Sequence, residues 1–344
     1  MSEVTRPLLV EPTWLHQLQD YIRAVDLADE GEQMAVGDAS GQVSILEQSD
    51  GRCRQRWSLH DHPITGLRWA NPNRLVSTGE DGTVQIIDPG DDGQEIAQIE
   101  TDAMWIDDLD IDPLGKRLAF CAGRRAHVFS LEGESIWKSK PHESTISGVA
   151  FLPKESLVAT SCYGAMRIWN YETGREVELM KWKGSLFEPH PSPDGAVVAC
   201  GCQDDSVHFW RLETGRDSEM SGYPAKPRCL AWSRDSKLLA TSAAHVQLVW
   251  DFSGTGPEGT TPYVLPVHEK AVTTMDFHPR RNLLLSGAED AMIMWWTPEE
   301  DSPPMGLAMM MGELAALRWL PEGDAFIAGD ANGYVGRFDP KLSK

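Results

Sequence analysis

The chain has 344 residues, 41% of them hydrophobic and 24% charged, which is the balance of a globular protein and excludes a disordered or fibrous one. A formal net charge of −21 would repel a phosphate backbone, and no run of Lys and Arg offsets it, so nucleic acid is not an expected partner. The opening residues MSEVTRPLLVEP lack the apolar core of a secretory signal, no window approaches a membrane span, and six cysteines in so long a chain do not form a disulfide framework, so a reducing cytoplasm without membrane partners is expected.

In chain order the predicted elements repeat eight times, and a short apolar strand, often finished by Trp, marks each repeat. Repeats over about 19–52, 53–92, 93–134 and 135–175 hold the strands VSIL, VQII, AHVF and MRIW, ending at Leu46, Ile87, Phe129 and Trp169. Repeats over about 176–216, 217–262, 263–304 and 305–344 hold VHFW, QLVW, IMWW and YVGRF, ending at Trp210, Trp250, Trp296 and Phe338. The steps between these ends are 41, 42, 40, 41, 40, 46 and 42 residues. A period of that size with several short strands is the signature of a propeller blade. No single repeat can bury its apolar face alone, so neighbours must stack, and 1–344 is expected to be one propeller domain.

Repeat seven shows the internal plan: HEKAVTTMDFHPRRNLLLSGAEDAMIMWW. AVTTMDF alternates apolar and polar residues and reads as a first strand. HPRRN is turn chemistry, LLLSGA a more buried second strand, and AED a tight turn into MIMWW. The fourth strand falls in the variable stretch before the next repeat, as EVELMKW at 176–182 and PYVLP at 262–266. The expected fold is all-β, a closed propeller of four-stranded antiparallel blades.

These residues resemble the WD40 repeat family of β-propellers over almost the whole chain. The resemblance implies a hydrogen-bonded tetrad of His, Ser or Thr, Asp and Trp in each repeat. Repeat seven supplies all four, at His268, Ser286, Asp290 and Trp296. Repeat two offers His60 or His62 with Ser77 and Asp81, while Ile87 takes the Trp place. Repeat four keeps His142, Thr160 and Trp169, with Tyr163 near the Asp position; repeat five has Asp204 and Trp210, with Cys200 for the hydroxyl. The turns of repeats three and six are clipped, at GRRA and SAAHV. Eight blades follow from eight repeats, although seven is commoner in the family. Buried polar groups that tie strands together explain a Ser, His and Asp better than nucleophilic catalysis does, so no catalytic residue and no enzyme activity are expected.

Only DPKLSK follows Phe338, too short for a fourth strand, while PTWLHQL at 12–18 precedes the first repeat by the fourth-strand interval. That segment is expected to pair with the last blade and so remove an exposed sheet edge.

Partners of such propellers bind mainly at the narrow face. The resemblance places there Tyr21 and Arg23, Glu80, Trp105 with Asp107, Tyr163, Phe187 and Gln203, Lys226 with Arg228, Glu289 and Glu313. Aromatics and Arg are the types enriched at interface hot spots. Trp105 is the sharpest candidate, because IDDLDI already alternates apolar residues without it, and the aromatics point to a peptide or protein groove over the first half of the chain. Cys121, Cys162 and Cys202 sit at similar places on second strands and read as small buried residues; without a CxxC pair, no metal and no cofactor are expected. The stretches 253–262 and 298–306 are Gly- and Pro-rich loops, GTGPEG lacks the Lys of a phosphate loop, and MMMG at 309–312 is either an adaptable contact or core filling.

The functional expectation is therefore a non-enzymatic scaffold or adaptor that binds other proteins or peptides, as a monomer or as a subunit of a hetero-complex. The alternative is a dedicated accessory or maturation factor for one enzyme, possibly metal-related.

Overall fold

Strand after strand follows the alternating pattern, and every regular element among the described residues is a β-strand. The computed structural model describes residues 7–28, 32–90, 92–154, 156–254, 256–265, 268–298 and 303–342. The strands form eight sheets, one per repeat, which is the blade composition of a β-propeller. Backbone contacts gather them into two compact units, Arg23–Lys226 and Met1–Ile22 with Pro227–Lys344.

The larger unit holds blades 1 to 5. Blade 1 begins at the unit boundary with Ile22–Leu27 and continues through Gln33–Asp38, Gln42–Glu47 and Cys53–Ser58. Blade 2 has Ile64–Asn71, Arg74–Gly79, Thr83–Asp88 and Gln94–Glu100; blade 3 has Asp108–Ile111, Arg117–Ala122, Arg125–Ser130 and Ser135–Lys138. Blade 5 has His190–Pro191, Val197–Gly201, Val207–Arg211 and Asp217–Met220. Blade 4 departs from the expected four separate strands. Its middle element, Leu157–Asn170, is unbroken: residues up to Cys162 pair with Ile146–Phe151, and residues from Tyr163 pair with Arg175–Ser185. The element doubles back, since the Trp169 indole N–H donates to Thr160 Oγ1 at 3.1 Å. The turn at Tyr163–Gly164 is short, with Gly164 at φ 90° and the register shifting between Tyr163 and Ala165, so the two halves run on as one element.

The smaller unit holds blades 6 to 8. Blade 6 has Cys229–Trp232, Leu238–Ala243, Val246–Asp251 and Tyr263–Leu265; Pro266 of the expected fourth strand lies outside the described residues. Blade 7 has Val272–Phe277, Leu284–Ala288, Met292–Trp296 and Gly306–Met309, and blade 8 has Leu314–Trp319, Phe326–Asp330 and Tyr334–Phe338. Two N-terminal strands join them, β1 (Leu8–Leu9) and β2 (Trp14–Gln17). As expected from the sequence, β2 completes the last blade, with Trp14 opposite Arg337 and Gln17 opposite Tyr334. β1 was not foreseen: it adds to blade 7 as a parallel fifth strand, Leu8 opposite Gly306.

Each blade buries both faces of its middle strands, and the second strands are almost entirely enclosed. In the smaller unit Trp295, Trp319, Phe326 and Phe338 share one cluster, with the Phe326 and Phe338 rings stacked at 5.1 Å. Burial of one such ring contributes about 1.5–3 kcal/mol. Gly306 is required here, because a Cβ would lie 2.0 Å from the Trp295 ring.

Within each unit, first strands are tied to the next blade by side chains. Asp26 accepts the N–H of Trp69 at 2.7 Å, Asp108 that of Val149 at 3.0 Å, Asp110 that of Phe151 at 2.7 Å, and Asp276 that of Trp319 at 2.8 Å. Ser147 and Thr273 hydroxyls donate to Leu186 O and Leu314 O, each at 2.6 Å. Backbone groups that no ladder reaches are thereby satisfied.

Candidate functional site

Tight turns between second and third strands fix the loops on which the candidate residues sit. In blade 7 His268 Nδ1 lies 3.2 Å from the Asp290 carboxylate and Nε2 lies 3.0 Å from Ser286 Oγ. Asp290 also accepts the N–H groups of Glu269 and Met292, so one carboxylate organises both the turn and the entering loop. The indole N–H of Trp296 is buried without a hydrogen-bond partner among the described residues, so three of the four tetrad residues are joined. In blade 2 it is His60, not exposed His62, that bonds Asp81 (3.0 Å) and Ser77 (2.9 Å). In blade 4 His142 Nε2 and the Trp169 indole both reach Thr160, while His142 Nδ1 is buried without a hydrogen-bond partner among the described residues.

Two turn carboxylates escaped the sequence reading. Asp38 accepts the Ser40 and Gln42 N–H groups, and fully buried Asp330 accepts those of Met311, Asn332 and Tyr334. Both stand one residue earlier in their turns, GDASG and GDANG, than Asp81 does in GEDG.

These networks also shift protonation. Burial pulls the His60 and His268 imidazoles below their ordinary pKa despite the adjacent Asp81 and Asp290. Burial likewise carries Asp108 up to about 7, helped by Glu188 and Asp110, against the Val149 N–H that stabilises its charge.

In the larger unit the candidate residues fall into small local sets. The Arg23 guanidinium donates to Ile64 O at 3.1 Å and lies 3.6 Å from the Glu80 carboxylate, so blades 1 and 2 are bridged. The Trp105 indole N–H donates to Asp107 Oδ1 at 2.9 Å, yet 48% of Trp105 stays exposed, beside Met104 at 79%. Tyr163 is 62% exposed, and its backbone N–H donates to Ser144 Oγ at 3.1 Å. Phe187 and Lys226 are half-buried and Gln203 is exposed; the backbone N–H groups of Phe187 and Gln203 donate to Gly201 O and Ser185 O. In the smaller unit Tyr21, Arg228, Glu289 and Glu313 are exposed. Glu289 N–H donates to Ala271 O at 2.9 Å, and the Ala331 N–H donates to Glu313 O at 2.9 Å.

Four segments, residues 51–88, 133–170, 190–211 and 259–297, match the family described as WD domain, G-beta repeat. The chain carries WD repeats in these four segments. Its sequence is 24% identical over 329 residues to the ribosome biogenesis protein YTM1 of Saccharomyces cerevisiae, covering 88% of this chain and 71% of that one. Human apoptotic protease-activating factor 1 is 22% identical over 278 residues, 77% of this chain but 18% of that protein. Among solved structures, Sqt1 of Chaetomium thermophilum bound to the N-terminus of ribosomal protein L10 superposes with a TM-score of 0.84 at 17% identity, covering 96% and 100% of the two chains. The computationally designed protein Ika8 reaches 0.81 at 21% identity, covering 97% and 99%.

The remaining chemistry of the WD repeats is structural in placement. Cys121, Cys162, Cys200 and Cys202 are buried, and burial drives the Cys202 thiol up to about 11. Among the described residues no three His, Cys, Asp or Glu side chains are placed to hold a metal ion, and no helix is long and apolar enough to cross a membrane. Of the three consecutive methionines, Met310 is core and Met309 and Met311 are exposed.

Proposed function

We propose that this protein is a non-enzymatic adaptor that binds a protein or peptide through the blade ends bearing the second-to-third-strand turns, the narrow face of a propeller. The observation that carries the reading is Trp105. A large indole is held by Asp107 at 2.9 Å on a loop with nearly half its surface open, so it is both oriented and available. Ordering it costs little on binding, because the hydrogen bond has already restricted its rotamers. Tyr163, on the turn of the next blade, offers a second aromatic surface with a backbone fixed by Ser144. Rigid blades carrying exposed aromatic loops suit recognition of a chain segment.

Two relatives support a protein segment as the class of partner. One is named for ribosome biogenesis, and a structural relative is seen holding the N-terminus of a ribosomal protein. The buried thiols of Cys121, Cys162, Cys200 and Cys202 suit a reducing cytoplasm, where we place the activity.

Affinity purification of the native protein beside a Trp105→Ala/Tyr163→Ala variant tests the reading. A stoichiometric partner should be lost from the folded variant, and equal recovery from both proteins would remove these loops from the binding surface.

A further inference from the structure

Three arginines from two blades, Arg234 and the adjacent pair Arg280 and Arg281, line one cleft of the smaller unit, together with His278, Pro279 and Pro321. The cleft has a volume of about 730 Å³ and lies at the turns between first and second strands, away from the tetrad turns. Its charge is opposite to that of the protein. Arg234, Arg280, Arg281 and neighbouring Lys237 carry four positive charges, against two negative ones on Asp235 and Glu322, in a chain of net charge −21.

The acids are already engaged. Asp235 accepts the Ser233 hydroxyl at 2.7 Å and the Lys237 N–H at 3.2 Å, and lies 3.6 Å from the Lys237 ammonium. Glu322 pairs with Arg280 at 2.5 Å on exposed surface, where such a pair contributes little. Arg234 donates to Pro279 O at 3.5 Å, which leans its guanidinium toward the arginine-bearing turn of blade 7.

That turn is built to be rigid. Buried His278 lies 2.8 Å through Nε2 from Gly323 O, and its Nδ1 accepts the backbone N–H groups of both Arg280 and Arg281. One neutral tautomer satisfies all three bonds, and burial favours it by pulling His278 below its ordinary pKa. The ring meets Trp319 edge-on at 4.9 Å, and Gly323, at φ 75°, leaves no space for a side chain beside it. Two adjacent arginines are therefore presented from a fixed backbone, with a third leaning in from blade 6.

We propose that this cleft binds a phosphate monoester carried on a peptide. Guanidinium groups match phosphate oxygens bidentately, and three of them suit a dianion better than a single carboxylate. The cleft is open on one side, and Pro279 and Pro321 provide apolar walls for the residues that flank a phosphorylated side chain. The site is independent of the aromatic loops of the larger unit.

The test is fluorescence anisotropy with a labelled Ala-Ala-phosphoserine-Ala-Ala peptide, its unphosphorylated counterpart, and inorganic phosphate as competitor, at physiological ionic strength. The phosphorylated peptide should bind at least about tenfold more tightly than the unphosphorylated one, as expected for charge-assisted bidentate contacts. Arg234→Gln/Arg281→Gln should abolish that preference, whereas Lys237→Gln should retain it. If the double variant does not fold, Arg281→Gln alone should weaken the preference severalfold. Equal binding of the two peptides, or a preference undiminished in the arginine variants, would overturn the site. Inorganic phosphate competing as strongly as the phosphopeptide would overturn the peptide as its carrier.

Discussion

The carboxylate of Asp276 on the first strand of blade 7 accepts the backbone N–H of Trp319 on the first strand of blade 8 at 2.8 Å. Asp26 with Trp69 and Asp110 with Phe151 repeat the relationship in the larger unit, 43 and 41 residues apart. Each bond supplies an acceptor to a first strand, and in Asp110 and Asp276 the acceptor is an acid whose pKa burial raises.

Asp276 therefore predicts a pH dependence. Burial raises its carboxyl from 3.8 to about 6, so the folded protein holds the proton more tightly than the unfolded chain does. Its contribution to stability is complete below pH 3.8 and is lost as the pH rises through about 6. Asp276→Asn keeps an acceptor for Trp319 without the charge and should flatten the fall in melting temperature across that window. Calorimetry that finds the same slope in both proteins would refute this.

Histidines bias stability the other way at acid pH. His60 and His268 have folded pKa values below 6.5, so the unfolded chain takes up protons first as the pH falls. Their contribution is present above pH 6.5 and lost below it. Asp290→Ala removes the acceptor for His268 and for two backbone N–H groups, and should cost about 1–3 kcal/mol at neutral pH by chemical denaturation.

The two N-terminal strands should differ sharply in importance. Deleting residues 1–18 removes β2 and leaves the Tyr334–Phe338 edge of blade 8 unpaired, so the melting temperature should fall steeply and aggregation should rise. Deleting residues 1–10 removes the two-residue pairing of β1 and the partly buried Val10 but leaves β2 in place, and should lower the melt far less. Equal melts for the two deletions would contradict the assignment of β2 as the closing strand.

Much of this was legible in the residues. The repeat period located all eight third strands, and the fourth-strand interval located β2. What escaped is instructive. Asp38 and Asp330 lie one position off the GEDG register, and only the turn geometry identifies their role. Asp26, Asp110 and Asp276 read as the polar members of alternating strands, because no local pattern reports a donor 41 or 43 residues away. β1 is two leucines between prolines, too short to carry a period. Arg234 and Arg281 are separated by 47 positions, so a search for basic runs passes over the cleft they share. Met104 was missed beside Trp105, since an exposed apolar side chain carries no sequence signal of its exposure.

The most direct test of the adaptor reading is site-specific photo-crosslinking in native extract. A photoreactive side chain is placed in turn at the positions of Trp105, Tyr163 and Leu114, the last being 71% exposed in the blade 3 turn between first and second strands. The prediction is one shared protein captured from the Trp105 and Tyr163 positions and absent from the Leu114 position. Capture confined to the Leu114 position, or different proteins from the two aromatic positions, would contradict the account.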